Sequence, residues 1–334
     1  MNSPLYHGDK IYHWFPNSSL DFVSSPQVML DNLSQWFRSF RIPNFSNNFS
    51  PLHGVNPNTA TNSTQFSPPV QNLAWEMAHC LEQNKFHLHY QPQVDIKTGA
   101  LLGVETLIRW HHPRLGLISP AEFIPIAEQT GLIVPMGYWV LQQSCLQYQR
   151  WLSQDIPPFK LSVNLSLRQL QEQNLVTEIK NIVNQTKINC QQITLEVTES
   201  LMLYEPGETI NRLNQLNDMG IQIAIDDFGV GYSSLSYLKD LPLQTLKIDK
   251  SFLDDLLAKE KNQVILQTII ELGHRLGLKI VAEGVESLEQ LAVLKSMDCD
   301  YGQGYLFSRP LTDQDATALF RTSSFLESHP LATV

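Results

Sequence analysis

Ile221, Ile223 and Ile225 alternate along the chain as a strand buried on one face would, and this strand ends in two adjacent carboxylates, Asp226 and Asp227. A loop punctuated by Gly229 and Gly231 follows at once. Two negative side chains at the end of a buried strand repel each other, and a pair of divalent cations would balance them. A solvated strand end turning on Asp and Gly has the same local sequence. The stretch alone leaves both readings open.

Further polar residues fall at comparable places. Leu161-Ser162-Val163-Asn164, Ile193-Thr194-Leu195-Glu196, Leu246-Lys247-Ile248-Asp249 and Ile280-Val281-Ala282-Glu283 are apolar runs interrupted or ended by a polar group. Glu105, Arg109, Glu199 and Gln303 sit similarly. Buried carboxylates and a buried lysine are costly unless paired or metal-bound. One strand-end Asp is an ordinary cap or ion-pair partner, but so many are hard to explain as structure alone. The donors are hard oxygens with no His or Cys among them, which favours Mg²⁺ or Mn²⁺ over Zn²⁺. His87, His89, His111 and His112 belong to an early hairpin and its following loop and read as surface or packing residues. Two such ions about 4 Å apart would hold a phosphodiester and activate a water. A lysine in that shell, its pKa lowered by the cations, would take or orient the water's proton. The chemistry implied is metal-assisted phosphodiester hydrolysis.

The elements that must position these groups alternate between strand and helix. Helical spacing covers Leu73 to Gln83, and Phe86 to Ile96 reads as a strand. Lys97-Thr98-Gly99 makes a hairpin turn into a second strand, Leu101 to Trp110. Further strands are predicted over Phe159–Asn164, Ile193–Val197, Ile221–Asp226, Thr245–Ile248, Lys279–Glu283 and Tyr301–Tyr305. Helices are expected after Ser119-Pro120 and after Pro135, and near 174–187, 206–219, 259–276 and 288–297. Roughly eight strands alternating with helices predict a (β/α)8 TIM-type barrel. The opening hairpin predicts that one strand runs antiparallel to the rest. Chemistry in such a barrel sits at the C-terminal ends of its strands, which is where the polar residues fall.

Residues 1–70 have a different texture, rich in Asn, Ser, Pro and Phe. Such a segment buries too little surface to offset its ordering entropy and is expected to be largely irregular. One island stands out. After Ser25-Pro26, the residues Met29, Leu30, Leu33, Trp36, Phe37 and Phe40 fall at helical spacing until Pro43, predicting a short amphipathic helix near 26–41. The barrel is expected over 71–325, with a tail at 326–334.

The 334 residues carry a net charge of −10, which weighs against a DNA or RNA partner but permits an anionic substrate held by metal. Cys80, Cys145, Cys190 and Cys299 are scattered, as expected of reduced thiols. No apolar run reaches the roughly 18 residues of a membrane span, and no leader pattern is visible. A cytoplasmic location is the expectation.

Glu105-Thr106-Leu107-Ile108-Arg109-Trp110 resembles the signature of the EAL domain, the bacterial cyclic-di-GMP phosphodiesterase family. Leu88-His89-Tyr90-Gln91-Pro92 is similar to the family's opening strand, and Pro120 to Glu128 to its first helix. Asn164, Glu196-Val197-Thr198-Glu199, Asp226-Asp227-Phe228-Gly229, Lys247-Ile248-Asp249, Glu283-Gly284-Val285-Glu286 and Gln303-Gly304-Tyr305 follow in the family's order. The resemblance covers about Leu73 to Leu311. It implies a barrel whose first strand is reversed and hydrolysis of cyclic-di-GMP to linear pGpG with two Mg²⁺ or Mn²⁺ ions. By resemblance, Glu105, Asn164, Glu196 and Asp226 ligate one ion. Asp226 bridges to a second, held also by Asp227 and by Glu283, directly or through water. Lys247 contacts the attacking water, Arg109 binds a substrate phosphate, and Gln91 and Gln303 line the substrate cleft. Glu199 anchors the loop after Asp227. The resemblance also implies a homodimer formed through the helices flanking the fifth and sixth strands.

Two positions depart from the family pattern. Thr106 stands where the signature has Ala, and alternation along the strand turns it toward the helical layer if Glu105 faces the mouth. Val230 stands where small residues or Thr are common, and its β-branch is stiffer. Neither change removes a candidate ligand or Lys247. Two alternatives stay open on sequence alone: a non-catalytic cyclic-di-GMP receptor or protein-docking module, and a hydrolase of another phosphodiester.

Overall fold

The structure is a computed structural model that describes residues 68–199, 206–230 and 238–321. The expected helix near 26–41, the rest of the N-terminal segment before residue 68, Gly231 and the tail lie outside these residues. The described residues start with helix α1 (Pro68–Glu82) and the hairpin β1 (Phe86–Asp95) and β2 (Leu101–His112). The hairpin turns where the Asp95 carboxylate accepts the backbone N–H groups of Lys97 and Thr98 and Gly99 takes φ +72°. A short strand β3 (Gly116–Ile118) then pairs antiparallel with the end of β2. Helices α2 (Pro120–Thr130) and α3 (Ile133–Leu152) follow. Ser119 caps α2 with Pro120 at its first position. Pro135 lies inside the first turn of α3 rather than before it, where its missing N–H leaves no helical bond unmade.

From there strands and helices alternate. They are β4 (Lys160–Asn164), α4 (Leu167–Leu170), α5 (Leu175–Thr186), β5 (Ile193–Thr198), α6 (Pro206–Asp218) and β6 (Gln222–Phe228). Then come β7 (Thr245–Ile248), α7 (Ser251–Asp254), α8 (Glu260–Arg275), β8 (Lys279–Glu283), α9 (Leu288–Ser296), β9 (Tyr301–Gln303) and α10 (Asp313–Phe320). Eight strands close in the order β1-β9-β8-β7-β6-β5-β4-β2, with β2 back on β1. Strand β1 is antiparallel to both neighbours and the other neighbouring pairs are parallel. This is the (β/α)8 barrel with a reversed first strand that the sequence predicts. Among the described residues, no helix is long and apolar enough to cross a membrane.

The outward faces of the strands carry the core. Phe86 stacks on Trp110 with ring centroids 5.4 Å apart, and Phe123 packs against both rings. Tyr90, Trp151, Phe159 and Phe320 form a second aromatic group under α3 and α10. Each buried ring removes 150–250 Å² from water, and these clusters clamp β1 and β2 against the helices. The opposite faces of those strands, with Gln91 and Glu105, turn inward.

Candidate active site

Glu105, Asn164, Glu196, Asp226, Lys247, Glu283 and Gln303 come from seven strands and meet at the C-terminal mouth of the barrel. Strand register does most of the positioning. Asn164 pairs with Glu196, Glu196 with Ala224, and Glu283 with Gln303. Lys247 is at the centre and is 1% exposed. Its Nζ lies 2.6 Å from Glu283, 2.7 Å from Glu196, 3.0 Å from Asp226 and 3.5 Å from Glu105. Asn164 donates to Glu105 Oε1 at 2.8 Å and Gln303 to Glu105 Oε2 at 2.6 Å.

Asp226 and Asp227 reach the same place for a reason beyond their adjacency. Neighbouring strand residues point to opposite faces. Here the β6–β7 register slips between Ile225 and Phe228, and Asp227 takes the left-handed φ of +54°. The irregularity re-aims the second carboxylate. Oxygens of Asp226, Asp227 and Glu283 consequently lie within 4.8 Å of one another, as do those of Glu105, Glu196 and Asp226. Asp226 belongs to both groups.

These groups fit a pair of divalent cations. Five carboxylates face one ammonium, an excess of four negative charges that two such ions would neutralise. The donors are hard oxygens that suit Mg²⁺ or Mn²⁺. Electrostatics without ions shows the same strain. Burial pushes the Glu283 carboxyl up to about 8, with the Asp226 and Glu105 charges adding to it and Lys247 opposing. Burial also lifts Glu196 well above its ordinary range, again with Glu105 and Asp226 adding to it. Asp227 is raised by burial and by its Asp226 and Asp249 neighbours. Burial pushes Glu105 up too, but Lys247 and the Gln303 and Asn164 hydrogen bonds outweigh it and hold Glu105 below the usual value. Burial opposes the charge on Lys247, but the surrounding carboxylates overcome it and raise its pKa well above normal.

A carboxyl whose folded pKa exceeds its unfolded value contributes stability that is complete below the unfolded value and lost as pH rises through the folded one. For Glu283 that window runs from 4.5 to about 8. In EDTA the Tm is therefore expected to fall as pH rises from 4.5 to about 8, and Glu283→Gln is expected to flatten part of that fall. Differential scanning fluorimetry of both proteins checks this, and identical slopes would mean that Glu283 is ordinary in the ion-free state.

The remaining candidates surround this centre. Arg109 is half-buried and donates to the Ile108 carbonyl at 2.9 Å. Gln91 donates to the Ser308 carbonyl and accepts from Gln303 at 3.1 Å. Gln303 is only 4% exposed, and its amide is bonded to Gln91, Glu105 and Gln93. It sits beneath the cleft and braces what lines it. Glu199 accepts the Gly229 backbone N–H at 2.8 Å. Gly229 is held at φ +96°, and a Cβ there would lie 2.5 Å from the Phe252 ring. Asp249 accepts the Ser251 N–H at the start of α7. Thr106 is buried in the outer layer, as alternation predicts, and its hydroxyl has no partner among the described residues. Of the hairpin histidines, His112 is buried and bonds Glu76 at 2.9 Å, while His87 and His111 are exposed and meet edge to face. Gln93 was not legible as a site residue, although alternation from Gln91 puts it on the inward face.

The EAL domain family model matches residues 74–310. The chain is 42% identical over 246 residues to the bifunctional diguanylate cyclase/cyclic di-GMP phosphodiesterase MucR of Pseudomonas aeruginosa, covering 74% of this chain and 36% of MucR. It is 37% identical over 255 residues to the cyclic di-GMP phosphodiesterase PA2567 of the same species, covering 74% of this chain and 43% of that protein. The solved MucR phosphodiesterase in complex with c-di-GMP superposes with a TM-score of 0.70 at 42% identity, over 73% of this chain and 99% of that one. The chain spans about a third of the length of the curated relatives it resembles. Likeness in sequence as well as in fold, along the whole barrel, leads to the conclusion that this chain belongs to the EAL domain family.

Proposed function

We propose that the barrel hydrolyses cyclic-di-GMP to linear pGpG with two Mg²⁺ or Mn²⁺ ions. The observation that carries this reading is the pair of carboxylate groups sharing Asp226, with Lys247 buried between them. Glu105, Asn164, Glu196 and Asp226 would hold one ion, and Asp226, Asp227 and Glu283 the other. When bound, the ions supply charge that offsets the phosphate and lowers the pKa of water. The relatives' names and the c-di-GMP-bound MucR structure support the choice of substrate.

The protein's own groups then divide the work. Arg109 pairs with a phosphate oxygen beyond Glu105 on the same inward face. Gln91 presents its amide at the wall of the cleft. Lys247 orients the attacking water. In the ion-free site its carboxylate partners hold it as a firm ammonium, which cannot accept a proton. Its raised pKa depends on those carboxylates, so ions held by them would supply the counter-charge and lower Lys247 toward the range of a proton acceptor.

The purified 334-residue protein incubated with cyclic-di-GMP and either ion should yield pGpG, resolved by chromatography. No turnover with either ion in folded protein would defeat this reading, and tight binding without turnover would make the barrel a receptor. Arg109→Ala is expected to raise KM about tenfold or more, the worth of a charged hydrogen bond, with a smaller effect on kcat.

A further inference from the structure

Glu196 is 2% exposed, yet the barrel beneath it is hollow. TIM barrels usually fill their axis with bulky branched side chains. Here most inward residues one layer down are small, Gly103, Ser162, Thr194, Ala224 and Thr245, and only Val281 and Tyr301 among those of β8 and β9 are large. A cavity of ≈ 290 Å³ occupies the axis, running from Lys160 and Lys279 at the strand starts up to Gln93 and Glu196. Packing from below therefore does not hold the Glu196 carboxylate.

Hydrogen bonds hold it. Glu196 Oε2 is 2.7 Å from Lys247 Nζ, and Oε1 accepts from Gln93 at 3.4 Å. The same Gln93 amide donates to Gln303 Oε1 at 3.0 Å, and Gln303 donates to Glu105 Oε2 at 2.6 Å. One amide on β1 thus ties Glu196 directly, and Glu105 through Gln303. These are two of the three acids in one carboxylate group. Gly103 pairs with Gln93 across the hairpin, and a Cβ there would lie 2.8 Å from the Lys160 carbonyl oxygen and 3.2 Å from Gln93 Oε1, so this glycine serves both the β2–β4 pairing and the Gln93 arm.

We infer that Gln93 is a positioning residue of the acid cluster, its amide taking the place of core packing in fixing Glu196 and Gln303. The inference rests on the proposed two-ion reading. Partners one shell behind metal ligands set their orientation, and losing one costs 10–100-fold in affinity or activity. Gln93→Met keeps the volume and removes the amide. Its Mn²⁺ dissociation constant, read without substrate from the electron paramagnetic resonance of free Mn²⁺, is expected to rise about tenfold to a hundredfold. Its kcat should fall by a similar factor while KM for cyclic-di-GMP moves by less than about threefold, the pattern of a lost transition-state interaction. Thr194→Val alters the same cavity without touching an acid and should leave Mn²⁺ affinity unchanged. A merely structural role would lower the Tm of Gln93→Met without moving Mn²⁺ affinity. Folded Gln93→Met with wild-type affinity overturns the inference. If circular dichroism shows that this variant does not fold, Gln93→Asn decides by the same measurement, since its shorter arm cannot span Glu196 and Gln303. A wild-type protein that binds no Mn²⁺ and releases no pGpG defeats the functional reading itself, whereas an active wild type beside an unaffected variant defeats only the role of Gln93.

Discussion

Asp226→Asn is expected to lower turnover of cyclic-di-GMP by about a thousandfold or more, the upper range for losing one preorganised charged group at a reacting centre. The magnitude follows from where the carboxylate sits. Asp226 is the member common to both carboxylate groups and lies 3.0 Å from Lys247. The amide keeps the shape and removes the charge, so both proposed ion positions lose an anionic ligand at once. The Mn²⁺ titration of the variant should accordingly show both sites weakened. Glu199→Gln is the instructive contrast. Among the described residues, Glu199 touches the loop through a bond to the Gly229 N–H and belongs to neither carboxylate group. Its loss should cost about tenfold or less, the scale of a charge-assisted hydrogen bond to backbone. Steady-state assays of the two variants side by side settle the ranking. A Glu199→Gln enzyme slower than Asp226→Asn would move the centre of the site toward the loop.

The contrast also shows what the sequence carries and what it hides. Most of the eight strands are legible because they are apolar runs with a clear end, and the reversed first strand is legible because Lys97-Thr98-Gly99 is too short a connection for anything but a hairpin. The polar residues at those strand ends are legible for the same reason: they break apolar runs. Less is visible where tertiary structure decides. Helices α4 and α7 have four residues each, too few to show a helical period. Strand β3 has three residues and exists by pairing with the end of β2. The slip that turns Asp227 toward Asp226 lies in the pairing of β6 with β7, and no residue type announces it, although Asp tolerates the left-handed region better than most. Gln303 is legible as lying near the eighth strand's end, and its place lining the cleft is what the family resemblance implies. Its burial follows from the amide chain with Gln91 and Gln93, which exists only once β9 is laid against the reversed β1.

Lys247→Met is expected to abolish measurable turnover while leaving cation binding intact or tighter, and this separation follows from the charge balance of the site. Among the described residues of the ion-free protein, Lys247 is the cation that ion-pairs with the acids, lying within 3.5 Å of four of them. Removing one partner of a buried ionic network costs about 3–5 kcal/mol, which for a barrel of this size lowers Tm by on the order of 10 °C. The loss should be smaller at acidic pH. There Glu196 and Glu283, both raised by burial, take up protons and relieve their own repulsion. Divalent ions relieve the same repulsion without protons, and in the variant they no longer compete with an ammonium for the carboxylates. Saturating Mn²⁺ should therefore raise the Tm of Lys247→Met by more than it raises that of the wild type, since ligand stabilisation grows with affinity. Turnover should not recover with the Tm, because the thioether of Met can neither orient a water nor take its proton. Scanning fluorimetry with and without Mn²⁺, beside the pGpG assay, reads both halves of the prediction. A variant that loses Mn²⁺ affinity along with activity would show that the ammonium organises the carboxylates for the cations, and the exchange of Lys247 for metal as their counter-charge would have to be abandoned.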